Sequence, residues 1–157
     1  MKILIEGIDR VGKTTLANKL SESFNIPVFH DVNVFPFERE ICIEKMWTLL
    51  EAIKSFSVQD LIIDRFHASE YAYGLNRGVT ANTDFLFQLD EIINQMEFKV
   101  IHVKPTDIKK SSEKHGWDLT NHEKAFQDFW LVSKNKPYFV DYNDIMLRYD
   151  QILEVLK

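Results

Sequence analysis

Nine residues near the N-terminus have the types and spacing needed to bind phosphate. Residues 7–15 read Gly-Ile-Asp-Arg-Val-Gly-Lys-Thr-Thr, so two glycines separated by four residues are followed by a lysine and a threonine. In such a loop the glycines let backbone N–H groups wrap around phosphate oxygens, because no Cβ is in the way. The lysine would reach the β- and γ-phosphates of a nucleotide, and the first threonine hydroxyl would ligate Mg²⁺. The candidate phosphate-binding residues are therefore Gly7, Gly12, Lys13, Thr14 and Thr15.

A second charged pair follows a short apolar run in the middle of the chain. Asp64 and Arg65 come directly after Leu61-Ile62-Ile63. The carboxylate of Asp64 could hold Mg²⁺ through water or orient a substrate, and the planar fork of Arg65 suits a phosphate group. An ordinary ion pair at a strand end is the alternative. A functional pair is favoured because charged groups that share a cleft with a phosphate-binding loop tend to act in it.

Strands and helices alternate along the chain. The apolar patterns predict strands at 2–6, 27–30, 61–63, 98–103 and 138–140, and helices at 13–24, 38–56, 66–76, 82–96, 106–115, 120–135 and beyond a cap at Asp144. This order predicts an α/β fold of three layers, with a parallel sheet of about five strands covered by helices on both faces. Ligands of such sheets bind at the carboxyl ends of the strands, which is where Asp9, Asp31, Asp64 and Arg65 fall.

Composition limits the class of protein. The 157 residues predict a single domain spanning 1–157. A net charge of −5 argues against broad nucleic-acid binding, and the single Cys42 excludes an intramolecular disulfide. No segment is apolar for about 18 residues, so we expect no membrane span and a cytoplasmic location. The sequence leaves open whether the chain forms a homodimer.

The two segments with candidate chemistry also carry a family resemblance. Residues 6–15 and the run Asp64-Arg65-Phe66-His67-Ala68-Ser69-Glu70-Tyr71-Ala72-Tyr73 resemble the corresponding segments of thymidylate kinases and of the wider group of P-loop nucleoside and nucleotide kinases. The first half of the chain is covered well, and the second half only by the order of its elements. The chain is shorter than usual members of this group. The resemblance implies a P-loop kinase fold.

The resemblance also implies roles for individual side chains. Asp9 would meet the 3′-hydroxyl of the acceptor sugar, and Arg10 would contact the phosphoryl group in transfer. Arg65 would hold the phosphate of the acceptor, whereas Ser69 and Tyr73 would lie near its base or sugar. The base-stacking aromatic is not fixed by the sequence, which offers Phe35, Phe37 and Trp47.

In this group the catalytic arginine lies either in the phosphate-binding loop or in a mobile lid. The lid candidate, residues 106–118, contains Lys109, Lys110 and Lys114 but no arginine. Arg10 lies within the loop, so the resemblance favours the loop-arginine variant. The predicted catalytic residues are Lys13, Arg10 and Asp64, with Mg²⁺ held by Thr14 and, through water, by Asp64.

These features together predict ATP-dependent phosphoryl transfer to a (deoxy)nucleoside monophosphate, as in a thymidylate kinase-like enzyme of nucleotide biosynthesis. One alternative is a kinase for a hydroxyl acceptor, either a deoxynucleoside or a polynucleotide 5′-hydroxyl. A hydroxyl benefits from a general base, for which Asp31 is the candidate. An alternative of another class is a nucleotide-binding regulatory module that has lost turnover. It is disfavoured because Arg10, Lys13, Thr14, Asp64 and Arg65 are all present.

Overall fold

The chain alternates between strands and helices, as the sequence patterns predict. The computed structural model describes residues 1–30, 39–76, 83–116 and 118–157, without the side chains of 39–43, 76 and 115. Its strands are β1 (Lys2–Glu6), β2 (Val28–His30), β3 (Leu61–Asp64), β4 (Lys99–Lys104) and β5 (Tyr138–Asp141). Its helices are α1 (Lys13–Phe24), α2 (Arg39–Ser55), α3 (His67–Asn76), α4 (Thr83–Gln95), α5 (Ile108–His115), α6 (Thr120–Val132), α7 (Tyr142–Leu147) and α8 (Tyr149–Leu156).

Within the described ranges the strands form one five-stranded sheet in the order β2-β3-β1-β4-β5, and every pairing is parallel. Ile5 of β1 lies opposite Asp64 of β3, and Glu6 lies opposite His102 of β4. The loop after β1 and the turn after β3 therefore leave the sheet side by side. This is the edge at which ligands of open parallel sheets bind.

Helices cover both faces of this sheet. The chain leaves β1 in one direction to reach β2 but runs in the opposite direction from β2 through β3 and β4 to β5. Because such crossovers are right-handed, α1 lies on one face and the other crossover helices lie on the opposite face. The hydroxyls of Ser23 and Tyr149 are 2.9 Å apart, which places α8 beside α1. No helix in the described ranges is long and apolar enough to cross a membrane.

The core explains why the strand predictions are correct. Ile3, Leu4 and Ile5 of β1 are fully buried, as are Ile62 and Ile63 of β3. Strands buried on both faces read as continuous apolar runs rather than as alternating patterns. The short runs in this sequence therefore mark the strands that form the centre of the sheet.

The C-terminal helix prediction is wrong in its start and its number of helices. Asp141, not Asp144, is the N-cap, and the segment forms two helices that meet at Arg148. The Asp141 carboxylate accepts the backbone N–H of Asp144 at 2.9 Å, and the Asp144 carboxylate accepts the N–H of Asp141 at 3.0 Å. Two aspartates three residues apart thus form a reciprocal capping box, which sets the start of α7 three residues earlier than predicted.

Candidate active site

The loop between β1 and α1 has the backbone that its glycines predict. Gly7 has a φ of 136° and Gly12 a φ of 101°, both in the region that disfavours a Cβ. A Cβ on Gly7 would lie 2.3 Å from the carbonyl oxygen of Val103, so the loop passes against β4 with no room for a side chain. Helix α1 begins at Lys13, and its N-cap residue is Gly12, which has no side chain to cap it. Its first N–H groups and its positive dipole end are therefore available to an anion.

We expect Gly7→Ala to destabilise the protein by on the order of 3 kcal/mol, since it combines backbone strain with an unavoidable overlap. Gly116→Ala is the matched control. Gly116 also has a positive φ, 86°, but no atom of the described residues beyond its chain neighbours lies within 4 Å of its added Cβ. The free energy of unfolding of Gly116→Ala should fall by only about 1 kcal/mol. Urea unfolding of both variants measures the difference, and equal losses would contradict the close approach of Gly7 to Val103.

Lys13 is buried beside the loop. Only 4% of the residue is exposed, and its ammonium group donates a hydrogen bond to the carbonyl oxygen of Ile8. Burial lowers the pKa of Lys13 to about 8, against the opposing influence of Asp64, Glu6 and Glu123. A bound phosphate would favour the charged form further, because an opposite charge raises the pKa of a lysine.

ATP affinity is therefore expected to depend on pH in a definite direction. Below pH 8 Lys13 already carries the charge that binds phosphate. As the pH rises through the pKa of about 8, Lys13 loses this proton and has to take one up again when ATP binds. The association constant should then fall by up to about tenfold per pH unit. The terminal phosphate itself stays ionised, since it loses its last proton near pH ~6.

Calorimetric titration of Mg²⁺·ATP between neutral and alkaline pH measures this effect. Two buffers of different ionisation enthalpy would reveal the proton uptake above pH 8. Lys13→Arg is the control, because arginine stays protonated across this range. A wild-type affinity that stays flat without proton uptake would contradict the assignment.

Asp64 and Thr14 lie together beneath the loop. The Thr14 hydroxyl donates to Oδ2 of Asp64 at 3.0 Å, and Nδ1 of His30 lies 3.1 Å from the same oxygen. Asp64 is 5% exposed, and its Oδ1 is buried without a hydrogen-bond partner among the described residues. A carboxylate with an unused buried oxygen beside a hydroxyl fits the oxygen ligands that Mg²⁺ prefers. No role was predicted for His30 from the sequence, although its position at the end of β2 was a signal.

Arg65, Asp9 and Tyr73 form a second cluster at the same sheet edge. The guanidinium of Arg65 pairs with the Asp9 carboxylate, and both side chains are about one-fifth exposed. The backbone N–H of Asp9 donates to the Tyr73 hydroxyl at 3.0 Å. The guanidinium carbon of Arg65 lies 6.0 Å from the centre of the Tyr73 ring, within cation–π range. Three predicted acceptor residues are therefore neighbours, while their contacts with an acceptor stay a prediction.

Two further predicted residues, Ser69 and Trp47, are in the described part of the chain. Ser69 is 7% exposed and donates a hydrogen bond from its hydroxyl to Glu6, a residue for which no role was predicted from the sequence. Trp47 is 39% exposed and packs on Phe85, with ring centres 5.8 Å apart. The other predicted acceptor and base-stacking candidates, Asp31, Phe35 and Phe37, lie outside the described residues.

A cavity of about 590 Å³ joins the loop to the lid candidate. Its lining includes residues 10–15, Arg65, parts of 105–114 and Tyr142. Helix α5, which lies within the predicted lid 106–118, forms the wall opposite the loop. The guanidinium of Arg10 crosses this space and donates to the carbonyl oxygen of Lys114. Tyr142 was not predicted from the sequence to be part of the site. Its ring packs closely against Gly12.

The sequence matches no protein-family model and no curated protein. Solved structures do match. The YorR protein from Bacillus subtilis, in complex with phosphorylated GDP, aligns with a TM-score of 0.71 at 21% identity, over 99% of this chain and 95% of its own. The fold is that of the P-loop kinases. Thymidylate kinase from Ehrlichia chaffeensis aligns with a TM-score of 0.60 at 18% identity, over 100% of this chain and 98% of its own.

The likeness extends to the solved structure of a nucleoside kinase. Deoxyadenosine kinase from M. mycoides with bound dCTP aligns with a TM-score of 0.59 at 20% identity, over 99% of this chain and 98% of its own. The fold predicted from the resemblance to thymidylate kinases is therefore confirmed, including the second half of the chain. Thymidylate kinases and nucleoside kinases share this fold, so the fold does not identify the acceptor. The acceptor has to be inferred from the site.

Proposed function

We propose that this protein transfers the γ-phosphoryl group of ATP to the phosphate of a (deoxy)nucleoside monophosphate, as a thymidylate kinase-like enzyme. The observation that carries the proposal is that Arg65 lines the same cavity as the phosphate-binding loop. The loop and Lys13 would hold the phosphates of ATP on one side. The guanidinium fork of Arg65 suits a second phosphate, which a nucleoside acceptor lacks.

The charges around the cavity support a pair of anionic substrates. Its lining contains the cationic side chains Arg10, Lys13, Arg65, Lys110 and Lys114. Among the described residues of the lining, the one carboxylate is that of Asp107, which caps α5 by accepting two backbone N–H groups. Two phosphate groups that approach each other repel, so transfer between them needs surrounding cations.

Phosphoryl transfer requires the protein to position the substrates and to stabilise charge rather than to act as a covalent catalyst. Thr14 and Asp64 would hold Mg²⁺, which when bound neutralises charge on the β- and γ-phosphate oxygens. Lys13 and the loop N–H groups hold the phosphates of ATP. Arg10 stabilises the charge that develops on the phosphoryl group in transfer, and Arg65 aligns the acceptor.

The likeness to deoxyadenosine kinase supports a second candidate, in which the acceptor is the hydroxyl of a deoxynucleoside. A hydroxyl loses a proton during transfer, and Asp31 would then be the general base. A monophosphate acceptor is already anionic and needs no base. The two candidates therefore differ in their substrates and in their dependence on Asp31.

A panel of acceptors tests the proposal. Mg²⁺·ATP is supplied with each common ribo- and deoxyribonucleoside and with each monophosphate, while ADP release and product are followed by ion-exchange chromatography. We expect a monophosphate to be converted to its diphosphate with a higher kcat/KM than its nucleoside, and Lys13→Ala to abolish this. Preference for a nucleoside would establish the hydroxyl acceptor instead. Binding of ATP without turnover on any acceptor would indicate a regulatory module.

A further inference from the structure

Glu6 is a buried carboxylate that binds the start of α3 and the turn just before it. It is the last residue of β1 and is fully buried. Its Oε1 accepts the backbone N–H groups of Phe66 at 3.0 Å and Ala68 at 3.1 Å, and its Oε2 accepts the hydroxyl of Ser69. Since α3 begins at His67, Glu6 satisfies N–H groups at the start of that helix. Its negative charge also lies at the positive end of the helix dipole.

These contacts hold the turn that presents Arg65. Arg65 has a φ of 74°, a conformation that L-residues with side chains rarely adopt. Its own N–H donates to the carbonyl oxygen of Ile5 at 2.8 Å, and the N–H of the next residue donates to Glu6. Two consecutive residues of β1 thus fix two consecutive amides of the turn. A strained residue persists only where its surroundings determine it in this way.

The group that caps α3 comes from a distant part of the chain. A helix N-terminus is ordinarily capped by a nearby Ser, Thr, Asp or Asn of its own segment. Here the cap comes from the residue immediately before Gly7, where the phosphate-binding loop begins. A buried carboxylate is costly unless it is fully hydrogen-bonded. Glu6 directly precedes the loop, and its carboxylate binds N–H groups that follow Arg65. This one side chain therefore links the start of the loop to the turn that carries Arg65.

We propose that Glu6 is a positioning residue that sets the place of the Arg65 guanidinium relative to the phosphate-binding loop. This inference rests on the proposed function, in which Arg65 holds the acceptor phosphate. Glu6 does not touch a substrate; it acts through the backbone of Phe66 and Ala68. In-line transfer depends on the separation of the two phosphates, so losing this link should weaken acceptor binding more than ATP binding.

Glu6 also influences Lys13, because its charge opposes the lowering of the Lys13 pKa. The test must separate this effect from positioning. At about pH 6.5 Lys13 is protonated even with a depressed pKa, so measurements at that pH report the backbone contacts. Glu6→Gln removes the charge but keeps an oxygen that can accept the two N–H groups.

The experiment measures the Kd of the monophosphate and of ATP by calorimetry in wild type, Glu6→Ala, Glu6→Gln, Arg65→Ala and the double variant Glu6→Ala/Arg65→Ala. We expect Glu6→Ala to weaken monophosphate binding by roughly 10-fold or more, the scale seen when a supporting partner is lost, and ATP binding much less. Glu6→Gln should recover most of the loss. The double variant should bind no worse than Arg65→Ala alone, because Glu6 acts through Arg65. Glu51→Ala, at an exposed carboxylate of α2, controls for the charge change.

Hydrogen exchange at the amides of Phe66 and Ala68 gives a readout that needs no nucleotide. Exchange should accelerate in Glu6→Ala and stay slow in Glu51→Ala. Unchanged exchange, additive losses in the double variant, equal weakening of both ligands or failure of Glu6→Gln to recover would each overturn the proposal. If wild type binds no monophosphate, or Arg65→Ala binds it normally, the proposed function fails, and the exchange data then decide the Glu6 link alone.

Discussion

Replacing Arg10 with alanine is expected to lower kcat by about 10²–10³-fold, the scale seen when one preorganised donor is removed, while ATP affinity falls far less. Arg10 lies in the phosphate-binding loop with a φ of 61°, and its side chain lines the cavity shared with Arg65. A guanidinium fork that gains its full contact as charge builds on the equatorial oxygens lowers the barrier more than it strengthens ground-state binding. Single-turnover and steady-state rates with saturating ATP measure the effect.

Lys114→Ala and Lys110→Ala are the controls for Arg10. Both side chains line the same cavity from α5, but they are point charges rather than forks. The backbone carbonyl of Lys114, which accepts from Arg10, remains in Lys114→Ala. Each lysine variant should therefore be milder than Arg10→Ala. A near-normal kcat in Arg10→Ala, together with collapse in a lysine variant, would assign the role to the lid instead.

Arg65→Ala is expected to raise the KM of the monophosphate by roughly 10- to 150-fold, with ATP binding nearly intact. A hydrogen bond to a charged group contributes about 1.5–3 kcal/mol, and each 1.4 kcal/mol corresponds to about tenfold in affinity. The change also removes the guanidinium that forms an ion pair with Asp9. Steady-state kinetics with each substrate varied in turn separate the two KM values.

Arg65→Gly provides a control that distinguishes function from folding. Glycine accepts the positive φ at this position without strain, so Arg65→Gly should be more stable than Arg65→Ala by about 1 kcal/mol. Both variants lose the guanidinium and should show the same rise in KM. If the KM instead follows the measured stability of the two variants, Arg65 supports the fold rather than the acceptor.

The parts of this protein that could be predicted from sequence are those encoded by local patterns. The apolar run Leu61-Ile62-Ile63 predicted β3 because a strand buried on both faces needs no alternation. The spacing from Gly7 to Thr14 predicted the loop and the start of α1, because the backbone conformation and the ligand chemistry both depend on those residue types. The order of elements and the resemblance together predicted the fold that the solved structures confirm.

The parts that could not be predicted depend on contacts between residues far apart in the chain. Glu6 and Phe66 are 60 residues apart, and Arg10 and Lys114 are 104 residues apart. The register that joins such pairs is set when the sheet assembles, so a single sequence does not reveal it. A charged residue closing the apolar run of β1 was the available signal for Glu6. For Arg10 no local pattern indicated the contact with α5.

The error at the C-terminus has a different cause. Asp141 and Asp144 are both good N-cap residues, and each can accept from the other's backbone. Propensity alone does not choose between them. The reciprocal pair of hydrogen bonds favours the earlier start, because it satisfies two N–H groups at once.

In the proposed reaction, ATP donates its phosphoryl group to another phosphate and not to a hydroxyl. Phosphorus NMR of the protein with Mg²⁺, ATP and the monophosphate preferred in the acceptor panel tests it directly. We predict that ADP and the nucleoside diphosphate appear together in equal amounts, and that neither forms with Lys13→Ala. A second sample contains the matching nucleoside in place of the monophosphate. Conversion of that nucleoside to its monophosphate while the first sample forms no diphosphate, or release of inorganic phosphate alone, would contradict the account.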